Sequence, residues 1–195
     1  LIINGSVGGS GVTVRDGATL GGTGTVSSLV TVQNGATLSP GNSPGVANYS
    51  GGITLQTGSE FTFELIANSD SNRGTDYDGV NVTGGTFTLE SGVVFNMVLN
   101  GLGSTTDYTG AFWDTAQSWL VFQNTNAPAI AALFDLGVVS NDSLGNSFSV
   151  TGGSFSFRQA GNDVYLDYAA IPEPSTWLLL ASGLTCMLVM RRRSR

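Results

Sequence analysis

The chain has 195 residues, a formal net charge of −7, one cysteine and no histidine, and only 11% of its residues are charged. Lysine is absent as well, so histidine-based triads, histidine metal ligands and lysine nucleophiles are excluded. Low charge with 28 glycines and 41% hydrophobic residues describes a turn-rich all-β protein and not a disordered one.

The first sixty residues carry a repeat. Val12-Thr13-Val14-Arg15-Asp16-Gly17-Ala18-Thr19-Leu20 returns as Val30-Thr31-Val32-Gln33-Asn34-Gly35-Ala36-Thr37-Leu38. Looser echoes follow at Ile53-Thr54-Leu55-Gln56-Thr57-Gly58 and Val80-Asn81-Val82-Thr83-Gly84-Gly85. Within one copy, Val12 and Val14 alternate with Thr13, the period of a half-buried strand. Asp16-Gly17 supplies a turn, and Ala18 and Leu20 flank Thr19 in a second strand. One such unit buries too little to stand alone, whereas stacked units bury a continuous core, so the spacing predicts a solenoid. Pro40 and Pro44 predict a corner loop between the second copy and the next strand. These copies resemble the autotransporter-associated β-strand repeat, which implies a right-handed parallel β-helix of the kind found in secreted passengers. The pattern is already running at residue 1, which predicts a longer precursor with more repeats upstream.

From Ile53 the strands lengthen and become aromatic, as in Phe61-Thr62-Phe63-Glu64-Leu65 and Val94-Phe95-Asn96-Met97-Val98-Leu99. Asp70, Asn72, Asp76 and Asp78 offer oxygen ligands at alternate positions around Gly74, a candidate calcium loop that lacks a closing bidentate glutamate. The plainer reading of this stretch is a polar corner of Asx turns. Glu60 and Glu64 share one strand face, roughly 13 Å apart at about 3.3 Å per residue, too far for a glycosidase pair. Trp113, Trp119 and Tyr108 are either sugar-stacking platforms or the core of a cap. Asn126-Ala127-Pro128 can open a short helix that Gly137 ends. Phe148-Ser149-Val150, Phe155-Ser156-Phe157 and Val164-Tyr165-Leu166-Asp167-Tyr168 read as final strands, with a hairpin turn at 161–163.

Residues 1–60 are therefore expected to form β-solenoid repeats. Residues 61–168 are expected to form wider rungs or a β-sandwich-like cap, and 169–171 a linker. An antiparallel β-sandwich throughout is the alternative fold.

The last 24 residues combine Pro172-Glu173-Pro174, an apolar run over 177–190 and Arg191-Arg192-Arg193. The prolines block upstream helix extension. Fourteen helical residues span roughly 21 Å, short of a bilayer core of about 30 Å. The arginines favour the cytoplasmic side. The run predicts a single short hydrophobic C-terminal helix that pauses in a membrane for processing. Cys186, the sole cysteine, lies in it. This tripartite tail resembles the PEP-CTERM sorting signal of Gram-negative bacteria. The resemblance implies export, transient anchoring in the inner membrane, recognition by an exosortase through Pro172, Glu173, Pro174 and Arg191 to Arg193, and delivery to the cell surface or matrix. Proteins with this signal are associated with exopolysaccharide or biofilm matrix.

Ahead of Pro172 stand 13 acidic and 3 basic residues, so nucleic-acid binding is excluded. No phosphate loop or dinucleotide fingerprint occurs. The expected function is a non-enzymatic, exported surface or matrix protein without cofactor. A carbohydrate-binding adhesin or autotransporter-like passenger is the first alternative, and a fragment of a polysaccharide-degrading β-helix enzyme the second.

Overall fold

The computed structural model describes residues 1–171. They are all-β apart from two short 3-10 turns, Ala111–Asp114 and Phe148–Thr151. Strands come in threes. The first circuit holds β1 (Ser6–Val7), β2 (Val12–Val14) and β3 (Thr19–Gly22). The second holds β4 (Thr25–Val26), β5 (Val30–Val32) and β6 (Thr37–Pro40). The third holds β7 (Val46–Tyr49), β8 (Ile53–Leu55) and β9 (Glu60–Glu64). The fourth holds β10 (Gly79–Val82), β11 (Phe87–Leu89) and β12 (Val94–Val98), and the fifth β13 (Gln117–Asn124), β14 (Ala129–Ile130) and β15 (Asp135–Val139). A hairpin of β16 (Ser154–Ala160) and β17 (Asp163–Ala169) ends the described chain.

Each circuit gives one strand to each of three sheets. The first sheet runs β1-β4-β7-β10-β13-β17-β16, the second β14-β11-β8-β5-β2, the third β15-β12-β9-β6-β3. Every strand pair is parallel except β13–β17 and β16–β17, which are antiparallel. The stacking passes residue 60 without a break, since β9 pairs with both β6 and β12.

The sequence repeat is the register itself. Val12, Thr13 and Val14 lie opposite Val30, Thr31 and Val32, which lie opposite Ile53, Thr54 and Leu55, and these opposite Phe87, Thr88 and Leu89. The inner column of Val14, Val32, Leu55 and Leu89 is buried. The threonines point outward, where a β-branched side chain suits the pleat and keeps its hydroxyl in water. Between the second and third sheets the same left-handed glycine recurs as Gly17, Gly35, Gly58 and Gly92, with φ of 72° to 75°. Their N–H groups climb from circuit to circuit, Gly17 to Gly35 O, Gly35 to Gly58 O and Gly58 to Gly92 O. An alanine at Gly35 would meet the Asp16 carboxylate and adopt a backbone that L-residues avoid.

The circuits grow at one place only. The step from third to first sheet lengthens from Leu20–Thr25 to Leu38–Asn48, then Phe61–Asn81, then Phe95–Gln123, each pair at equivalent register positions. The step from second to third sheet stays Val12–Thr19, Val30–Thr37, Ile53–Glu60 and Phe87–Val94. All extra chain therefore collects at a single corner. The core widens in parallel, from valine and leucine to stacked rings such as Phe87–Phe122 at 4.3 Å and Phe61–Phe95 at 5.2 Å.

Three local expectations are corrected. Residues 126–137 form no helix. Ala129 and Ile130 pair with Thr88 and Leu89, and Asp135 and Leu136 with Val94 and Phe95, because the edges of two sheets offer ladder partners there, such as Leu89 O for Ala131 N–H and Val93 O for Asp135 N–H. Phe148–Thr151 is a 3-10 turn instead of a strand; its ring packs inward on Phe155 at 4.6 Å. Pro40 is the last residue of β6 and only Pro44 lies in the loop, as a strand end tolerates a missing N–H. The hairpin turn at 161–163 forms, with Gly161 at φ 60°.

Candidate functional site

The long loops at the growing corner, 65–78, 99–116 and 140–153, are held by polar side chains at their bases. Asn68 donates to Asp107 O at 2.9 Å and accepts from Asp107 N–H and the Trp113 indole. The Trp119 indole donates to Ser69 O at 2.9 Å. Both indoles and Tyr108 are buried, so these aromatics form the core of the widened end and not an open sugar platform. Tyr168 from β17 seals them, donating its hydroxyl to Trp113 O at 2.9 Å.

Two aspartates do opposite work here. Asp78 is fully buried and accepts N–H bonds from Gly45 at 2.8 Å and Glu64 at 2.9 Å. Burial pushes its carboxyl up to about 8, with nearby Glu64 adding to the rise and the two N–H donors opposing it. Asp142 accepts from the backbones of Tyr108, Leu144 and Asn146 and from the Asn146 amide, at 2.7 to 2.9 Å. Burial works against its ionisation, but these donors outweigh it and hold it below the ordinary carboxylate range. Arg73 is a further anchor. Its guanidinium is spent on Leu120 O, Val80 O, Val121 O and the Asn81 side chain, and burial lowers its pKa.

The four calcium candidates do not converge. Asp78 turns into the core, Asn72 donates to Asp76 at 2.8 Å, and Asp70 accepts from the adjacent Ser71 hydroxyl. Among the described residues no three His, Cys, Asp or Glu side chains gather where they could hold a metal ion. Glu60 accepts from Asn96 at 3.0 Å, and it shares the outward face of β9 with Glu64.

The outward face of the first sheet carries a group that sequence reasoning missed. Arg158 binds Asp167 at 2.7 Å, Ser118 donates to the same carboxylate at 2.6 Å, and the guanidinium lies 4.5 Å over the Tyr165 ring. Beside it runs a groove of about 450 Å³ lined by Asp70, Gln117, Ser118, Arg158, Asp167 and Ala169. A second, of about 350 Å³, is lined by Asn81, Thr83, Gln123, Thr125 and Asp163. The signal was the hairpin register, which sets Ser156 opposite Asp167 and Arg158 opposite Tyr165.

The chain exit lies at the same corner. Because β17 runs antiparallel to β13, Tyr168 comes opposite Gln117, the residue where loop 99–116 enters the sheet. Ile171 follows, against Gly152 of the last loop. Pro172, Glu173, Pro174, the expected helix over 177–190 and Arg191 to Arg193 lie outside the described residues. No helix among the described residues is long and apolar enough to cross a membrane. No curated protein matches the chain. Residues 170–193 match the PEP-CTERM protein-sorting motif, so the chain carries, one residue beyond its last strand, the C-terminal signal of exported proteins that an exosortase processes.

Proposed function

We propose that the protein is a non-enzymatic rod of the cell surface or exopolysaccharide matrix of a Gram-negative bacterium, delivered by its tail and cut from the membrane by an exosortase. The three parallel sheets are read as a right-handed β-helix, the hand that parallel crossovers adopt in nearly every case. Its first circuits are read as autotransporter-associated β-strand repeats. The observation that carries this reading is the sorting motif joined directly to the last strand of a stacked, backbone-paired body. Such a body withstands the outside of a cell without disulfides, which a chain whose one cysteine, Cys186, lies in the tail cannot form within itself. The β16–β17 hairpin extends the first sheet by two antiparallel strands and lays Phe157 over Phe95 and Phe134, which closes the core at the wide end. Replacing Arg191, Arg192 and Arg193 by neutral residues is expected to leave an uncut, membrane-held precursor; unchanged cleavage and release would refute the reading.

A second reading, adhesion to a glycan, is favoured by the two polar grooves on the face of Tyr165 and Arg158, which offer amides, hydroxyls and three carboxylates. Retention on an exopolysaccharide column that Asp167→Ala and Gln123→Ala abolish would support it.

A further inference from the structure

Four exposed apolar side chains lie on the last two corner loops and at the chain exit: Leu102 at 91%, Leu144 at 68%, Ile171 at 61% and Val150 at 55% exposure. Leu102 and Leu144 sit on turn tips. The Leu102 turn is closed by Ser104 N–H to Gly101 O at 3.0 Å, and the Leu144 turn by Gly145 N–H to Asp142 O at 3.2 Å. Gly103 and Gly145, one residue past each leucine, take φ of 78° and 85°. The two loops are tied together, since Ser143 donates both its N–H and its hydroxyl to Thr106 O. Asp142 then fixes the Leu144 turn through three backbone N–H groups and the Asn146 amide. These leucines are thus held out on braced turns.

The earlier loops at the same corner differ. They present Asn42-Ser43 and Ser71-Asn72 where the later ones present leucine. The change in chemistry falls on the circuits beside the chain exit, where Ile171 lies against Gly152 and the sorting motif begins at residue 170. From Ala170 to Trp177, the start of the apolar run, a fully extended chain reaches at most about 25 Å. With the tail in a bilayer, the exit corner stays within that distance of the lipid surface.

We infer that Leu102 and Leu144, with Val150 and Ile171 beside the exit, form a lipid-contacting rim that dips into the outer surface of the inner membrane while the tail is attached. This rests on the sorting function proposed above and adds an orientation to it: the widened end faces the membrane and the narrow first circuit points away. The contact is apolar and not electrostatic, because Asp107, Asp114 and Asp142 share these loops and Arg158 lies on the neighbouring sheet face. It therefore persists in high salt.

The test uses the full chain with Cys186→Ser, carrying one new cysteine at a time as Leu102→Cys, Leu144→Cys or Thr54→Cys. Each is labelled with an environment-sensitive dye and incorporated into phosphatidylcholine vesicles. The labels at 102 and 144 are expected to shift to the blue and to be quenched by shallow spin-labelled lipids roughly threefold or more beyond the label at 54, as interfacial burial requires. Vesicle-bound chain with all three sites equally water-exposed would overturn the rim and leave the sorting reading intact. Failure of the chain to float with vesicles would overturn both. Shielding at 102 and 144 that appears only when exosortase is present would reassign the surface to a protein contact and overturn the lipid proposal.

Discussion

Asp78 joins stretches of backbone that lie far apart in the chain, taking one N–H from Gly45 and one from Glu64. Gly41 packs so close to it that a Cβ there would fall 2.8 Å from Oδ1. Its carboxyl is raised in the folded protein from 3.8 to about 8 by burial. A group raised on folding contributes stability that is fully present below its unfolded value and is lost as pH climbs through the folded one. The protein is therefore expected to lose stability between about pH 4 and pH 8, and Asp78→Asn to flatten that slope while lowering stability at pH 4 through one lost acceptor, by about 1–3 kcal/mol. Urea midpoints of both forms across this window decide it; parallel profiles would show that Asp78 is not the source. Asp78 was visible in the sequence only as one member of an acidic loop. Nothing local distinguishes it from Asp70 or Asp76, because its partners stand 33 and 14 positions away.

At the scale of elements, legibility followed the range of the contacts. Val-Thr-Val strands and the Asp-Gly and Asn-Gly turns are short-range patterns, and their alternation alone predicts which face is buried. The loop bases depend instead on distant partners, such as Asn68 with Trp113 and Ser143 with Thr106. The expected helix at 126–137 failed for the same reason: a local start signal competed with two sheet edges that needed partners. Loop 140–147 depends on Asp142 more than on burial of its own side chains. Asp142→Ala removes the acceptor of four bonds, each worth about 1.5–3 kcal/mol at a charged group, and leaves the buried Tyr108 N–H unpaired. Cutting near Leu144 under limited proteolysis is expected to accelerate at least about tenfold, with the β-sheet circular dichroism retained. Unchanged cutting would mean that Ser143 and Thr106 hold the loop by themselves.

Taken whole, the molecule is polarised. The repeated circuits change little on two of their three steps, and everything that varies is at the third: the long loops, the buried aspartate, the indole core, the exit and the first residues of the sorting motif. The sequence made the tail and the early repeat readable because each is a contiguous pattern. That the last strand ends beside the long loops was not readable, since it depends on β17 running antiparallel to β13. The proposed function requires this body to be carried to the outside and separated from its tail. Intact mass of the protein released by cells with and without exosortase tests it most directly. A released form whose C-terminus falls within residues 170–190, and which has therefore lost Arg191 to Arg193, is expected only when exosortase is present. A released chain that still ends at Arg195, or identical masses from both strains, would contradict it.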